Sequence, residues 1–284
     1  MTWCCPKCME PLIQQDKIFR CEQNHQYDQA RQGYLNLLLA NQKNSRNPGD
    51  SDTMIDARKA FLRAGFYAPL VEALQYLVRT NVNKSAGCQL LDLGCGEGYY
   101  LEKIAASLDG SAAAYGVDIS KPAVRRAAVA GKQLQANCEG LALRYAVAST
   151  FAIPLEDNSI DIALNVFAPF AEQEALRVLR SDGALVRVSP AERHLFQLKE
   201  KLYADVRLHE KPLALRGFSI RTEQRLQFLI KLPNAAAIES LLAMTPLAWH
   251  GDPEARIALV GSGELSVEAD FYIQILAPKE VCEQ

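Results

Sequence analysis

Three cysteines and one histidine near the start of the chain have the spacing of a metal site. They follow the pattern Cys5-x2-Cys8-x12-Cys21-x3-His25. The two-residue gap lets two thiolates face one ion, and the twelve-residue gap leaves room for a hairpin before the second pair completes a tetrahedron. Cys4 is an alternative to Cys5, because a three-residue gap is also tolerated. Three sulfurs and one imidazole nitrogen in a closed site favour structural zinc over iron.

A glycine-rich stretch, "LLDLGCGEGYYLEKIA", is the second pattern that points to chemistry. It joins an apolar strand, Gln89 to Leu93, to a helix that begins at about Tyr99. Gly94, Gly96 and Gly98 let the backbone turn sharply and approach a ligand closely. The helix N-terminus favours a negative group such as a carboxylate. The G-x-G-x-G spacing differs from the G-x-G-x-x-G of pyrophosphate-binding proteins, which disfavours a sugar-nucleotide or NAD enzyme.

The strand ends that follow carry further candidate ligand contacts. Asp118 closes a second strand, "AAAYGVD", twenty residues after the last glycine of the turn. A carboxylate at that place can accept hydrogen bonds from two ribose hydroxyls. Ala148 and Ser149 end a third strand, beside the predicted adenine pocket. A fourth strand runs to Phe167, and Gly183 leads into a fifth.

The elements that must position these residues alternate between strands and helices. This alternation predicts an α/β fold with a parallel, doubly wound sheet. Ahead of the sheet, a helix is expected that Ser51 or Asp52 caps and Gly65 ends, followed by a second amphipathic helix. We expect three regions: a zinc-binding module at 1–36, a linker with helices at 37–85 and a main domain at 86–284.

Composition limits the class of protein. Hydrophobic residues make up 49% and charged residues 23% of the 284 positions, which allows a full globular core. The net charge of −2 gives no general attraction to nucleic acid, so RNA binding requires a local patch. No apolar run approaches the ~20 residues of a membrane span. The first residues lack the pattern of a secretory signal, and we expect a cytoplasmic protein without a membrane partner.

The cysteines outside the N-terminal cluster are predicted to be packing residues. Eight cysteines are too few for a disulfide scaffold at this length, and cytosolic thiols stay reduced. Four of them lie far apart, mostly in apolar surroundings, and are interpreted as buried small hydrophobes: Cys88, Cys95, Cys138 and Cys282.

The order of these pieces resembles the class I S-adenosylmethionine (AdoMet)-dependent methyltransferases. The resemblance rests on Asp92 with the glycine turn, on Asp118, and on the stretches "IPLEDNSIDIAL" and "DGAL", and it covers residues 86–195. It implies a Rossmann-like class I domain and AdoMet as cofactor. The residues assigned to the cofactor within this span are Asp92, Gly94, Gly96, Gly98, Tyr100, Leu101, Asp118, Ala148 and Ser149.

The whole chain resembles the bacterial 23S ribosomal RNA (guanine-N1) methyltransferases of the helix-35 type. The stretches that carry the resemblance are "CPKC", "CEQNHQYD", "GYLNLL", "RNPGDSDTMIDARKAFLRAGFYAPL", "LDLGCGEGYY", "FAP", "RHL" and "MTPLAWH". The family joins an N-terminal zinc site of three cysteines and a histidine to a class I domain. It implies that zinc holds an RNA-recognition module, that a 23S rRNA hairpin is the partner, and that the chain forms a homodimer.

Under this resemblance the loop "NVFAPF" is the candidate acceptor site. Asn165 is a candidate for hydrogen bonding to a base edge, and Phe167 for stacking on a flipped guanine. His194 is placed near the cofactor, and its alternative is a capping histidine at the surface. Tyr67 is placed over the cofactor, and its alternative is packing against the sheet. No acidic general base stands out for removal of the guanine N1 proton.

Contacts to RNA are expected from the zinc module and the arm after it. The candidates for phosphate contacts are Lys7, Lys17, Arg20, Lys43 and Arg46. Tyr27 and Tyr34 are candidates for stacking on unpaired bases. For each residue the alternative is solvation of a lysine or packing of a tyrosine. The residues that line the guanine pocket, or pack the sheet edge, are Met244, Thr245, Pro246 and Trp249.

Two other classes of function remain open. The first is an AdoMet-dependent small-molecule methyltransferase whose zinc knuckle is a structural appendage. The second is a non-enzymatic RNA adaptor that binds AdoMet. The adaptor is disfavoured, because the glycine turn, Asp118 and an acceptor loop are all present.

Overall fold

The N-terminal residues form a three-stranded antiparallel sheet of their own. The computed structural model describes residues 2–43, 48–81, 87–108, 112–245 and 252–279. The strands of this small sheet are β1 (Ile13–Gln15), β2 (Ile18–Arg20) and β3 (Gln26–Asp28), each paired with the next. Asp16 turns the chain between β1 and β2 with a left-handed φ of 55°, which aspartate tolerates. The predicted hairpin between the two pairs of metal ligands is confirmed.

The main sheet has eight strands. They are β4 (Leu35–Asn36), β5 (Cys88–Leu93), β6 (Ala112–Asp118), β7 (Leu141–Val147), β8 (Ile160–Val166), β9 (Leu179–Pro190), β10 (Phe218–Leu232) and β11 (Leu265–Pro278). Their order across the sheet is β10-β11-β9-β8-β5-β6-β7-β4. The pairs from β9 to β4 are parallel, whereas β11 is antiparallel to both its neighbours. The predicted mostly parallel α/β fold is confirmed.

The strand order reverses between β5 and β8. From this point the chain continues through β6 and β7 on one side and through β9 on the other. In open α/β sheets, ligands bind outside the carboxyl ends of the strands at such a switch point. The turn at 94–98 follows β5 and the loop at 167–171 follows β8. The topology therefore places both predicted functional loops at the same crevice.

Eight α-helices surround the sheet in the described part of the chain. They are α1 (Asp52–Arg63), α2 (Ala68–Asn81), α3 (Tyr99–Ala105), α4 (Lys121–Gln135), α5 (Glu172–Val178), α6 (Phe196–Leu202), α7 (Ala235–Ala243) and α8 (Pro253–Gly261). Ser51 is the cap of α1, because its hydroxyl accepts a hydrogen bond from the Met54 amide at 3.3 Å. In the described residues, no helix has the length and apolarity that crossing a membrane requires.

The two faces of the sheet bury separate hydrophobic cores. Neighbouring residues of a strand point to opposite faces, so Leu90 belongs to one core and Leu91 to the other. The core with Leu91 includes side chains of the zinc module. Trp3 packs edge-on against Tyr115 of β6, with ring centroids 5.1 Å apart. Together with β4, which pairs with β7, these contacts attach the N-terminal module to the main sheet.

The predictions for the scattered cysteines have mixed outcomes. Cys88 and Cys95 are buried, as expected for packing residues. Cys138 is only half-buried, so its predicted burial is wrong; it lies in the turn that follows α4 and not inside the helix. Cys282 lies outside the described residues.

Candidate functional site

The four predicted metal ligands converge at one end of the small sheet. One ligand atom from each of Cys5, Cys8, Cys21 and His25 lies within 4.8 Å of all the others. His25 Nδ1 is 3.5, 3.7 and 3.4 Å from the three sulfurs, and the sulfurs of Cys8 and Cys21 are 3.7 Å apart. Tetrahedral zinc with its usual bond lengths requires ~3.5 Å between nitrogen and sulfur and ~3.8 Å between sulfurs. The donor set therefore fits zinc.

The surroundings of this cluster distinguish the alternatives that the sequence left open. Cys4 is not part of the cluster, and its backbone amide donates to the Pro154 carbonyl at 2.9 Å. The Tyr27 hydroxyl is 3.3 Å from the Cys5 sulfur, and this contact orients Cys5 as a metal ligand although Tyr27 is not a ligand itself. Tyr34 is buried, so stacking on an RNA base is wrong for this residue and the packing alternative holds.

The candidate phosphate contacts differ in exposure. Lys7, Lys17 and Lys43 are exposed, whereas Arg20 is half-buried and its Nε atom has no hydrogen-bond partner among the described residues. Arg46 lies outside the described residues. The three lysines are thus able to meet an RNA backbone.

A cavity of about 360 Å³ lies where the zinc module meets the main sheet. Phe19 of the module and Arg144 of β7 are among its lining residues. Arg144 already donates to the Tyr115 hydroxyl at 3.2 Å, and Lys132 donates to the Arg31 carbonyl at 3.0 Å. Because its charged side chains are paired internally, this cavity is a junction between modules, and the chemistry lies at the switch point of the sheet.

Of the three glycines in the turn after β5, two have close neighbours and the third faces open space. A Cβ atom at Gly94, where φ is 82°, would lie 2.3 Å from the Cβ atom of Ala168. At Gly98 it would lie 3.0 Å from Ala127. At Gly96 the nearest side-chain atom, on Arg58, is 4.0 Å away. The open side at Gly96 is where a ligand can approach the backbone.

Asp118 holds the turn in place. Its two carboxylate oxygens accept hydrogen bonds from the amides of Gly96, at 2.9 Å, and Ser120, at 2.7 Å. Burial raises the pKa of Asp118, and these two hydrogen bonds oppose the shift. Each carboxylate oxygen keeps a lone pair for a further donor, as contact with ribose hydroxyls requires.

Asp92 and Tyr100 flank the turn and carry two buried polar groups. Asp92 is buried at the end of β5, and burial together with the nearby charge of Asp118 raises its pKa to about 8. The Tyr100 hydroxyl is buried and has no hydrogen-bond partner among the described residues. A buried polar atom without a partner is costly, which indicates that a ligand supplies one. The cationic amino group of AdoMet matches this carboxyl and hydroxyl.

The other predicted cofactor residues contribute mainly backbone and shape. The Leu101 side chain is fully buried in the core, so only its backbone can face a ligand. The Ala148 amide donates to the Asp118 carbonyl at 3.1 Å, which brings the ends of β6 and β7 together. The Ser149 hydroxyl accepts from the amide of Phe151 at 3.1 Å. The structure brings these residues to the edge of the sheet that holds the glycine turn.

His194 and Tyr67 are coupled in one buried cluster. The backbone amide of Asp270 donates to His194 Nδ1 at 3.3 Å, so the proton of the neutral ring resides on Nε2. Nε2 lies 3.5 Å from the Tyr67 hydroxyl, to which it donates. Burial, followed by the charges of His209 and Lys199, lowers the pKa of His194 to about 3. His194 is therefore neutral and has no free lone pair, and the predicted capping role at the surface does not fit its burial.

Asn165 is buried at the end of β8. Its amide nitrogen donates to the carbonyl of Leu93 at 3.2 Å and to that of Ala168 at 2.9 Å. Both amide hydrogens are thereby used within the protein. Asn165 joins the acceptor loop to the end of β5, and we find that it holds this loop in position.

Phe167 presents an aromatic ring at the mouth of the crevice. The side chain is 44% exposed and its backbone takes a left-handed φ of 59°. For a bulky residue this conformation costs of order 1–3 kcal/mol and marks functional sites. The ring lies nearly parallel to that of His194, at an interplanar angle of 24° and 6.3 Å between centroids. The strained loop holds an apolar face toward the outside, where a base can stack.

Two ion-pair groups that the sequence did not assign fix α1 over the site. Asp50 pairs with Arg58, and the carbonyl of Asp50 accepts from the Ser120 hydroxyl at 3.3 Å. Arg63 contacts Glu97 of the glycine turn and Glu102 of α3, each at 3.0 Å. These residues lie within stretches already singled out, but only the fold shows that they meet.

Of the four candidates for a guanine pocket near α7, the structure describes Met244 and Thr245, and the Met244 carbonyl lies 3.5 Å from the Arg58 guanidinium. Met244 is buried in the core, and the Thr245 hydroxyl donates to the Leu242 carbonyl at 3.1 Å. The packing alternative therefore holds for Met244. Pro246 and Trp249 lie outside the described residues.

The switch-point crevice with its glycine turn and the Asp118 carboxylate, together with the Cys3His centre, defines a class I AdoMet-dependent methyltransferase that carries a zinc ribbon. Residues 84–229 match the family model of a methyltransferase domain. Residues 3–46 match a zinc-ribbon model described as "RlmA, N-terminal".

Curated relatives match along nearly the whole chain. The "23S rRNA (guanine(748)-N(1))-methyltransferase" of Streptomyces fradiae is 36% identical over 279 residues, which cover 95% of each chain. Two further relatives are provisionally named as guanine-N1 methyltransferases of 23S rRNA. The one from Micromonospora griseorubida is 35% identical and covers 91% of this chain and 90% of the relative. The one from Bacillus subtilis strain 168 is 31% identical and covers 95% of each chain. This chain belongs to the 23S rRNA (guanine-N1)-methyltransferase family.

Proposed function

We propose that this enzyme transfers the methyl group of AdoMet to N1 of a guanosine in 23S rRNA, within the hairpin of helix 35. The observation that carries the proposal is the exposed Phe167 ring, held by a strained backbone beside the glycine turn. A base taken out of its helix requires such an aromatic surface at the active site. The choice of RNA and of N1 is supported by the name of the Streptomyces relative.

The chemistry is a direct displacement. When bound, AdoMet supplies an electrophilic methyl group on a sulfonium that serves as its own leaving group. The protein mainly positions the acceptor nitrogen in line with the methyl–sulfur bond. Gly96, Asp118, Asp92 and Tyr100 hold the cofactor, and Phe167 stacks on the guanine. The bond from methyl to sulfur breaks as the bond to N1 forms, and N1 loses its proton.

The zinc module serves to hold the RNA. Its closed Cys3His centre is structural, and it keeps a module with few buried residues folded. The exposed side chains of Lys7, Lys17 and Lys43 contact phosphates of the hairpin stem. The module occupies residues 1–36, the linker with α1 and α2 residues 37–85, and the catalytic domain residues 86–284. We propose that two chains act as a homodimer in the cytoplasm.

The test uses zinc-loaded protein and methyl-labelled AdoMet with large-subunit rRNA, small-subunit rRNA and tRNA in separate reactions. Digestion and mass spectrometry identify the labelled nucleoside. The expected result is 1-methylguanosine from large-subunit rRNA alone, and a synthetic helix-35 hairpin should also be labelled. Methylation of small metabolites without any RNA product would instead support the small-molecule enzyme with a structural zinc knuckle. AdoMet binding without turnover would support the adaptor.

A further inference from the structure

Two titratable side chains with no part in the predicted site lie beside His194. The His209 ring is 6.2 Å from the His194 ring, between centroids, and His194 also stacks with Phe167. The backbone amide of His209 donates to the Glu192 carbonyl at 3.3 Å, which fixes this loop just beyond the end of β9. The Lys199 side chain from α6 is buried next to both imidazoles. All of them lie at the carboxyl edge of the sheet, where the acceptor loop is.

The reaction that we proposed above requires a proton acceptor. Guanine N1 carries a proton whose pKa lies well above neutrality, so N1 is a poor nucleophile until that proton leaves. In the balanced step the methyl–sulfur electron pair stays on sulfur, the N1 lone pair forms the new bond, and the N1 proton passes to a base. The inference that follows therefore rests on the proposed function.

Most titratable groups around the crevice are unsuited to accept this proton. His194 uses both ring nitrogens in hydrogen bonds, as described above. Asp270 is fully buried and is held by Arg225 through two contacts at 2.8 and 2.6 Å. Asp92 lies beneath the glycine turn on the cofactor side, where the proposed function has its carboxylate paired with the amino group of AdoMet. Burial raises the pKa of Tyr67, which therefore stays a neutral phenol.

His209 differs from these groups in both access and pairing. Its side chain is half-buried, so an incoming base can reach the ring. Within the described ranges, the ring makes no hydrogen bond, which leaves a lone pair available. Burial and the ammonium of Lys199 lower its pKa, and Asp270 opposes them, so the ring is neutral at pH 7.

We propose that His209 is the catalytic residue that accepts the N1 proton of the target guanine. Lys199 is a positioning residue that acts through its charge and keeps the imidazole of His209 unprotonated. Its ammonium has no ion-pair or hydrogen-bond partner in the described part of the chain. The charged and titratable groups that face His209 are Lys199 from α6, His194 after β9 and Asp270 from β11, with Arg207 and Glu210 as its neighbours on the same loop.

The first test is His209→Gln, with Glu210→Gln as the matched control on the same exposed loop. Single-turnover methylation of large-subunit rRNA is measured against pH at saturating RNA and AdoMet. We expect the rate constant of H209Q to fall by about 10²–10⁴ at pH 7, the usual contribution of a general base, with RNA affinity changed less than about threefold. The rate should recover as pH rises toward the ionisation of guanine N1 itself. The E210Q rate should match that of the wild type.

The second test is Lys199→Met, which removes the charge and keeps the length of the side chain. The wild-type rate needs neutral His209, so it falls as pH drops through the pKa of this residue. Removing the ammonium raises that pKa, and the acidic limb of the K199M profile should move to higher pH. This displacement is independent of any loss in amplitude caused by altered packing.

Specific results overturn the inference. An H209Q rate within about threefold of wild type at pH 7, or a loss confined to RNA affinity, excludes His209 as the base, since a general base contributes at least about a hundredfold. An acidic limb that stays in place in K199M excludes the role of Lys199. Failure of the wild type itself to form 1-methylguanosine overturns the proposed function and is seen before any variant is compared.

Discussion

The affinity for AdoMet should depend on pH because Asp92 has to lose a proton. With a pKa of about 8, this buried carboxyl is mostly protonated in the free enzyme at neutral pH. The cationic amino group of AdoMet favours the ionised carboxylate. Binding therefore releases a proton, and affinity rises as pH rises toward the pKa of the free enzyme.

The magnitude follows from linkage. If only the ionised form binds, the apparent Kd is multiplied by one plus the ratio of protonated to ionised Asp92. For a pKa of about 8, the Kd should decrease by roughly 75-fold between pH 5.5 and 7.5. This window ends below the pKa of a free α-amino group, about 8, so most of the ligand keeps its charge up to about pH 7.5.

Isothermal titration calorimetry measures both quantities. The Kd is followed across the window, and titrations at pH 7 in buffers of different ionisation enthalpy count the protons released, which should approach one. Asp92→Asn is the matched variant, because it keeps the shape and removes the titration. Its affinity should be weak and flat across the same range. A wild-type Kd that changes less than about threefold, with no proton release, would refute the assignment of Asp92 to the cofactor amino group.

Three further predictions concern the acceptor loop, the glycine turn and the zinc centre. Phe167→Ala should lower kcat/KM for RNA by about 5- to 100-fold through lost stacking, whereas F167Y should keep most activity. The AdoMet Kd should not change in either variant. Steady-state kinetics measures kcat/KM, and calorimetry measures the AdoMet Kd. Gly94→Ala should lower stability by about 1–3 kcal/mol more than Gly263→Ala in thermal unfolding, because both have positive φ but only Gly94 would contact Ala168. Removal of zinc should shift Trp3 fluorescence to longer wavelength, since the ring packs on Tyr115, and should abolish RNA methylation while AdoMet binding persists.

The sequence was most informative where spacing alone fixes geometry. Two ligand pairs separated by a hairpin leave a tetrahedron as the natural arrangement, and the four atoms meet within 4.8 Å. The alternation of strands and helices likewise predicts a parallel sheet, and a ligand of such a sheet binds at its carboxyl edge. Both patterns are local, so they can be recognised before the fold is known.

What the sequence could not indicate depends on distant contacts. Arg63 and Glu97 are 34 positions apart, and their pairing over the glycine turn follows from how α1 crosses the sheet. Asn165 was expected to face the substrate base because of where it stands in its loop. Its amide nitrogen turns back to two carbonyls, since a buried amide must satisfy both hydrogens and the protein offers acceptors on each side. The predicted contact with a base edge would therefore fall to the side-chain oxygen of Asn165, and it stays a prediction.

Two residues at the crevice have positive φ angles, and they show why this edge of the sheet carries the chemistry. Phe167 and Leu195 follow β8 and β9, and both take left-handed backbone angles, 59° and 56°. Leu195 is buried and anchors the segment through its amide, which donates to the Glu268 carbonyl at 2.8 Å. Phe167 has the same strain but an exposed ring. Strain at Leu195 is balanced by packing that places His194, whereas strain at Phe167 secures no comparable burial. A ligand that covers the Phe167 ring would offset the conformational cost of its left-handed backbone, and this is the physical reason to expect the guanine there.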